Sequence, residues 1–333
     1  MKTVTLLQGD GIGPEIIKSI QKIFTYLNID INFDTQLLGK EAFRLTGDII
    51  PEETTRSIEH NKVVLKAPYQ TEVGQGFRSV NVALRQQFDL YANVRPIKTI
   101  LFQASKFGDL DFTIIRENTE DLYIGEEEET IENQEVIALK KIARKASERI
   151  INYAFDYAAT NNYKKVTCIH KANILKLSDG LFLRVFKEIS QKYPDISTND
   201  LIVDNAAMQL VINPAQFEVM VMPNLYGDIL SDLASGLVGG LGLAPSANIG
   251  TNYALFEAIH GCALDIAGKN LANPSALLLS GCMMLEYLGY IRESKKIKAA
   301  LLATLNNGYL TSDLGGNLTT TEFTDKIISY IVQ

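Results

Sequence analysis

Asn224-Leu-Tyr-Gly-Asp-Ile-Leu-Ser-Asp232 follows a short apolar run, Val219-Met-Val-Met222, with Pro223 between them. The run reads as a buried strand, the proline breaks it, and the spacing predicts a helix opening near Leu225. Asp228 and Asp232 stand four apart, so a helix stacks both carboxylates on one face. Leu230, Leu233, Leu237 and Val238 lie mostly on the other. Two like charges one turn apart repel by about a few tenths of a kcal/mol. A bound divalent cation reverses that sign, because hard cations such as Mg²⁺ take carboxylate oxygens. A solvated acidic face is the plain alternative, and this stretch alone leaves both open.

Working outward, strand-like and helix-like stretches alternate. Residues 4–7 read as a strand, 14–27 as a helix, 31–37 as a strand, 51–60 as a helix and 62–66 as a strand. Residues 111–116 and 165–170 continue the strands, while 142–161 and 181–192 continue the helices. An apolar helix from Pro274 to about 288 and amphipathic helices around 297–305 and 322–332 close the chain. Such alternation predicts an α/β fold with a mixed, mostly parallel sheet. At 333 residues the chain exceeds one ordinary core, so two domains are expected. No linker is visible, so continuous strands must cross any boundary.

Composition excludes several classes. A net charge of -7 argues against a nucleic-acid partner. No apolar run is long enough to span a bilayer, and residues 1–7 run straight into a strand, which leaves no room for a signal peptide. Cys168, Cys262 and Cys282 lack metal-ligand spacing. Their odd number points to reduced thiols and a cytoplasmic setting.

Several side chains suit chemistry. Gly9-Asp-Gly-Ile-Gly-Pro-Glu15 lacks the G-x-G-x-x-G spacing of a dinucleotide fingerprint. It reads as a strand-to-helix turn whose free amides help line a cofactor cleft. After the glycine-rich loop 66–76, Ser79, Asn81, Arg85 and Arg95 form a run of donors, and Arg116 ends the strand 111–116. Arginine grips carboxylates through paired hydrogen bonds, although each of these arginines taken singly also reads as a surface residue. Lys171 follows a strand in His170-Lys-Ala-Asn173, a place where a lysine is usually just solvated. Asp204 reads as a helix cap. The acidic run 126–129 reads as a solvated turn. His260, in a glycine-punctuated loop, reads equally as a satisfied core histidine.

Together these stretches resemble the decarboxylating β-hydroxyacid dehydrogenases, namely the isocitrate, homoisocitrate and 3-isopropylmalate dehydrogenases. The likeness runs from Gly9-Asp-Gly-Ile-Gly-Pro14 to Asp313-Leu-Gly-Gly316. It is carried most specifically by Asn224–Asp232 and by His260-Gly with Asp265-Ile-Ala-Gly-Lys269. The resemblance implies a fold distinct from the Rossmann type. Residues 1–90 and 239–333 would form a large discontinuous domain on the cofactor side, and 91–238 a smaller inserted one. It also implies a homodimer or higher homo-oligomer with shared active sites. Asp228, with Asp232 close by, and Asp204 of the partner subunit would bind Mg²⁺ or Mn²⁺. Arg85, Arg95 and Arg116 match the carboxylate-gripping arginines, and Asn173 joins the substrate site. Lys171 of the partner subunit would act as base and Tyr123 as final acid, and a cationic cluster would lower their pKa values toward neutrality.

Ser79 and Asn81 place donors where a third substrate carboxylate would lie, as in the isocitrate branch, and 116–120 is similar to that branch. Residues 204–210 are more similar to the other two. Thr71, Glu257, His260, Gly261, Asp265, Ile266 and Asn273 match cofactor positions. Aspartate at 265 implies NAD, because a carboxylate there accepts from both ribose hydroxyls and repels a 2′-phosphate. The implied reaction is the metal-assisted oxidative decarboxylation of isocitrate to 2-oxoglutarate. Ala67, Glu72, Cys262 and Leu264 depart from the commoner Gly, Pro, Ser or Thr, and Pro. Some eukaryotic members pair catalytic chains with weakly active regulatory chains. The intact Tyr123, Lys171, Asp204, Asp228 and Asp232 set reads as a catalytic one.

Overall fold

The apolar runs become the strands of one sheet, and the glycine and proline breaks become its loops. The computed structural model describes residues 1–70, 79–101, 105, 107–131 and 134–331. Thr71 and Glu72 lie outside them. The strands are β1 (Lys2–Leu7), β2 (Ile31–Gln36), β3 (Val63–Lys66), β4 (Ala92–Lys98), β5 (Asp111–Glu117), β6 (Glu127–Ile131), β7 (Glu135–Ala138), β8 (Lys165–His170), β9 (Ser197–Ile202), β10 (Val219–Met222), β11 (Pro245–Ile249) and β12 (Ala254–Ala258). The helices are α1 (Gly13–Tyr26), α2 (Gly39–Thr46), α3 (Glu52–Asn61), α4 (Val80–Gln87), α5 (Arg144–Thr160), α6 (Ser178–Ser190), α7 (Val203–Ile212), α8 (Asn224–Leu237), α9 (Ser275–Tyr287), α10 (Ile291–Asn306) and α11 (Thr320–Ile331).

Ten strands form one sheet in the order β2-β1-β3-β12-β11-β4-β5-β10-β8-β9. The outer pairings are parallel, whereas β12-β11, β11-β4 and β4-β5 are antiparallel. The strands from β2 to β11 come from the two chain ends, and those from β4 to β9 from the middle. They meet where Ala247 faces Val94. Helices cover both faces, as a doubly covered sheet requires. Ile16, Ile20 and Phe24 of α1 share a core with Leu277 of α9, Phe155 of α5 and Phe182 of α6. Leu230, Ala234 and Leu237 of α8 pack on Ile114, Met220 and Met222 of the other face. Among the described residues no helix is long and apolar enough to cross a membrane.

Three local expectations are corrected. The acidic run 126–129 enters β6, which pairs with β7 in a separate antiparallel ribbon. Charged side chains on an exposed edge are compatible with a strand and even protect it. Asp204 does not cap α7: Ile202 holds the cap position without a side-chain bond, and the Asp204 side chain turns to Lys171. Two amides of the turn at Gly9 are not left for a cofactor. The amides of Asp10 and Ile12 bond to the carbonyls of Pro68 (2.8 Å) and Cys262 (3.0 Å), bracing two loops instead.

Candidate active site

In open α/β sheets ligands gather at the carboxyl ends of parallel strands, and four such ends converge here. On one side β5 and β10 run parallel with Arg116 beside Met222, and α8 begins two residues later. α8 sits directly on Arg116 because Gly227 has no side chain. A Cβ there would lie 2.4 Å from the Arg116 Cγ. Pinned beneath the helix, Arg116 donates from Nε to Asn224 Oδ1 (2.9 Å), pairs through Nη1 with Asp228, and lies 4.9 Å over the Tyr123 ring. The Tyr123 hydroxyl donates to Asp228 Oδ2 at 2.5 Å. From β4 the buried Arg95 reaches Asp228 at 3.6 Å and Asp232 at 3.4 Å, and also bonds Ser231.

These contacts split the two carboxylates. Burial works to raise Asp228, but the Arg116 charge, the Tyr123 hydrogen bond and Arg95 outweigh it and hold the group below its ordinary value. Burial raises Asp232, Arg95 opposes, and the balance lies above the ordinary value. Arg95 falls to about 9 through burial and the neighbouring Arg116 charge. Tyr123 departs from expectation. Burial pushes its pKa up, and although the Arg116 charge works the other way, the hydrogen bond it gives to ionised Asp228 adds to the rise.

The opposite wall comes from the parallel pair β3 and β12, with Lys66 beside Glu257. Glu257 Oε2 lies 2.6 Å from the Lys66 ammonium, and Oε1 takes Asn248 Nδ2 (2.8 Å) and Arg85 (3.4 Å). Burial works against ionisation, yet Lys66 and Arg85 dominate and hold Glu257 down at about 2. Asn248 in turn accepts from Asn93 and Asn118, both at 2.9 Å, so one polar network crosses β12, β11 and β4. Sequence reasoning missed Lys66 as a cavity residue. The available signal was a lysine closing the apolar run Val63-Val-Leu-Lys66, and the structure leaves it only 2% exposed.

Between the walls lies a cavity of about 300 Å³. Ser79, Asn81, Arg85, Arg95, Arg116, Tyr123, Asp228, Asp232, Glu257, His260 and Gly261 all border it, so most of the sequence-predicted site converges there. Among the described residues, five buried polar atoms at its edge have no hydrogen-bond partner: Asn81 Oδ1, Arg85 Nε, Arg95 Nε, Arg116 Nη2 and His260 Nε2. His260 lines the cavity rather than resting in the core. Its Nδ1 lies 3.0 Å from the Gly261 carbonyl, burial lowers its pKa, and Nε2 is left as an acceptor.

The remaining predicted residues lie elsewhere. Lys171 and Asp204 pair with each other away from the cavity, Asp204 well exposed, and Asn173 is exposed beside them. Lys171 holds Asp204 below its ordinary value by hydrogen bonding. Asp265 is exposed and Ile266 partly buried on the loop beyond His260. Asn273 is buried and bonded to Asp313 (3.0 Å) and to the Ser275 amide (2.9 Å). Among the described residues no group of three ligand-type side chains surrounds a metal position within one chain. Two half-exposed carboxylates one helical turn apart still fit Mg²⁺ or Mn²⁺, which usually take one or two carboxylates and complete their shell with substrate and water oxygens.

A sheet of this topology, with arginines and paired aspartates at its strand ends, has a clear counterpart among the dehydrogenases. The chain belongs to the isocitrate/isopropylmalate dehydrogenase family, whose description matches residues 3–327. It is 49% identical over 331 residues, 99% of this chain and 88% of the other, to a mitochondrial NAD isocitrate dehydrogenase chain of Arabidopsis thaliana named as catalytic. It is 48% identical, over 100% of this chain and 93% of the other, to a mitochondrial NAD isocitrate dehydrogenase chain of Dictyostelium discoideum named as regulatory. The crystal structure of isocitrate dehydrogenase from Methylococcus capsulatus superposes with a TM-score of 0.97, at 45% identity and over 100% of both chains.

Proposed function

We propose that the chain is a catalytic, NAD-dependent isocitrate dehydrogenase that oxidises and decarboxylates isocitrate to 2-oxoglutarate and CO₂. The observation that carries this reading is the set of buried, partnerless guanidinium N–H groups of Arg85, Arg95 and Arg116 beside Asn81. Buried donors without partners are costly, and a polycarboxylate satisfies them. Charge points the same way. Lys66, Arg85, Arg95 and Arg116 face Asp228, Asp232 and Glu257 across the cavity, and a divalent cation adds two further positive charges. A tricarboxylate offsets this excess better than the dicarboxylate 3-isopropylmalate.

Mg²⁺ or Mn²⁺ would be held by Asp228, with Asp232 close by and the partner subunit's Asp204, and would supply a Lewis acid to the C2 oxygen and a carboxylate. Bound NAD would take the C2 hydride, with Asp265 and Ile266 against the adenosine ribose. The chain's own residues do the rest. Arg85, Arg95 and Arg116 orient the carboxylates, and Ser79 and Asn81 take the third. The partner subunit's Lys171 accepts the hydroxyl proton. After CO₂ leaves, Tyr123 gives its proton to the enol carbon.

Sharing between subunits is supported by an apolar stripe. Met208, Val211 and Ile212 are exposed on the face of α7 that carries Asp204, and Ile229 is exposed beside Asp228 on α8. A second copy of the chain burying that stripe would bring its Lys171 and Asp204 to this cavity. The units 1–90 with 239–333 and 91–238 would then close on substrate, since Arg85 and Glu257 come from one and Arg116 and Asp228 from the other. Three buried free thiols support a reducing compartment, and the Arabidopsis relative is named mitochondrial. A regulatory role is the second reading, favoured by the Dictyostelium relative's name.

The cofactor assignment is tested by the ratio of kcat/KM for NAD and NADP. NAD should be preferred by about a hundredfold or more, because a 2′-phosphate would meet Asp265. Asp265→Lys combined with Ile266→Tyr should narrow that ratio. An enzyme using both cofactors equally would remove Asp265 from the ribose.

A further inference from the structure

Asp179, in the first turn of α6, is fully buried and takes no part in the reaction just described. Its carboxylate is nevertheless saturated. Oδ1 faces the Lys140 ammonium at 2.5 Å, and Oδ2 accepts from the Tyr226 hydroxyl (2.9 Å) and from the backbone N–H of Lys171 (2.7 Å). Lys140 also reaches the Tyr226 hydroxyl at 3.1 Å and lies 4.5 Å over its ring. Asp179 thus gathers the stretch after β7, the start of α8 and the residue that follows β8. Next to that residue, the Ala172 amide bonds His170 Nδ1 at 3.0 Å. The backbone at Lys171 is therefore held on both sides, although its side chain is partly exposed.

A buried carboxylate with a cation and two further donors is costly to place for packing alone. What it fixes is the direction in which the Lys171 stem leaves the end of β8. A tilt of that backbone is amplified along four methylenes, and a misplacement of about 1 Å at a reacting group costs about a hundredfold.

We propose that Asp179 is a positioning residue for the catalytic lysine. Its carboxylate, braced by Lys140 and Tyr226, sets the backbone of Lys171 so that the ammonium reaches the cavity of a second copy of the chain. This rests on the reading that Lys171 serves the partner's site.

The test uses hybrid dimers of full-length chains. One chain carries Asp228→Asn and the other Lys171→Met, so the single intact site combines Lys171 of the first with Asp228 of the second. Asp179→Asn is then added to one chain or the other. In the chain that supplies Lys171 it should lower kcat by about a hundredfold, with KM for isocitrate and NAD within about threefold. In the other chain the loss should be at least about tenfold smaller. A residue needed only for folding would act equally from either chain, so equal losses, or none, overturn the proposal. If Asp179→Asn does not fold, Lys140→Met repeats the comparison with the same asymmetry expected and the same outcomes overturning it. A parent hybrid that exchanges subunits yet stays inactive overturns the shared-site reading and this inference with it. An active parent hybrid with symmetric losses overturns this inference alone.

Discussion

Arg116 is the residue around which the candidate site is set, and its neighbours show how. Asn224 takes its Nε–H and donates in turn to the Glu120 carbonyl at 3.1 Å. Glu120 is buried, and its Oε1 accepts from the Ala143 amide at 2.8 Å. Burial lifts its pKa to about 7; the Ala143 bond opposes this, Glu117 adds to it, and Lys141 and Arg149 oppose it. The folded chain therefore binds this proton more tightly than the unfolded chain, whose glutamate has its ordinary value of 4.5. Between those values the folded state holds more protons, so the contribution of Glu120 to stability falls as pH rises. Glu120→Gln keeps the acceptor for Ala143 and removes the titration. Urea unfolding from pH 4.5 to 8 should show the variant gaining on the parent up to about pH 7, by about 2 kcal/mol, then running level. A constant difference would show that Glu120 does not titrate in that range. Asp228 invites a second substitution. Asp228→Asn should raise the Mg²⁺ or Mn²⁺ concentration needed for half-maximal activity by about a hundredfold while the fold is kept. An unchanged metal requirement would take the metal away from α8.

At the scale of elements, α7 and α8 present the exposed apolar stripe on which the proposed pairing of subunits rests. Ile212 is 67% exposed at the end of the apolar stripe on α7, and a contiguous apolar stripe, unlike a lone exposed side chain, marks a surface that another one covers. Ile212→Asp should shift the chain toward monomers in sedimentation velocity and lower activity in parallel. Full activity in a demonstrated monomer would place the whole site within one chain. The same elements show what the sequence made legible. α8 was readable because Pro223 ends an apolar strand and Leu230 and Leu237 keep a helical period facing the core. β11, Pro245-Ser-Ala-Asn-Ile249, was not, because its buried face carries Ser246 and Asn248, both of which hydrogen-bond Asn93 on β4, a strand distant in sequence. Polar β9 escaped for a related reason, pairing at the sheet edge with β8 alone. Likewise Asp179 has no local pattern, since three separate segments meet at its carboxylate. The arginines of the cavity were legible singly, but their convergence came from the family resemblance rather than from spacing.

For the molecule as a whole, a single sheet carries both halves of the candidate site, one wall from the chain ends and one from the middle. The Glu257–Asn248–Asn118 network runs across the strands where the halves meet, so closure about β11 and β4 would bring Arg85 and Arg116 to one ligand. In the proposed reading, the cavity's cationic excess, with Ser79 and Asn81 at its edge, would select a third carboxylate. A site built to pair buried polar groups rejects an apolar analogue by about 10⁴-fold or more, whereas one extra methylene is worth only about 10–200-fold. The most direct measurement is therefore kcat/KM of the purified chain alone, with NAD and Mg²⁺ or Mn²⁺, for isocitrate, homoisocitrate and 3-isopropylmalate. Isocitrate should be turned over without any second kind of chain, ahead of homoisocitrate by about 10–200-fold and of 3-isopropylmalate by about 10⁴-fold. Turnover of 3-isopropylmalate or homoisocitrate equal to that of isocitrate, or no turnover of any of them by the chain alone, would contradict the account.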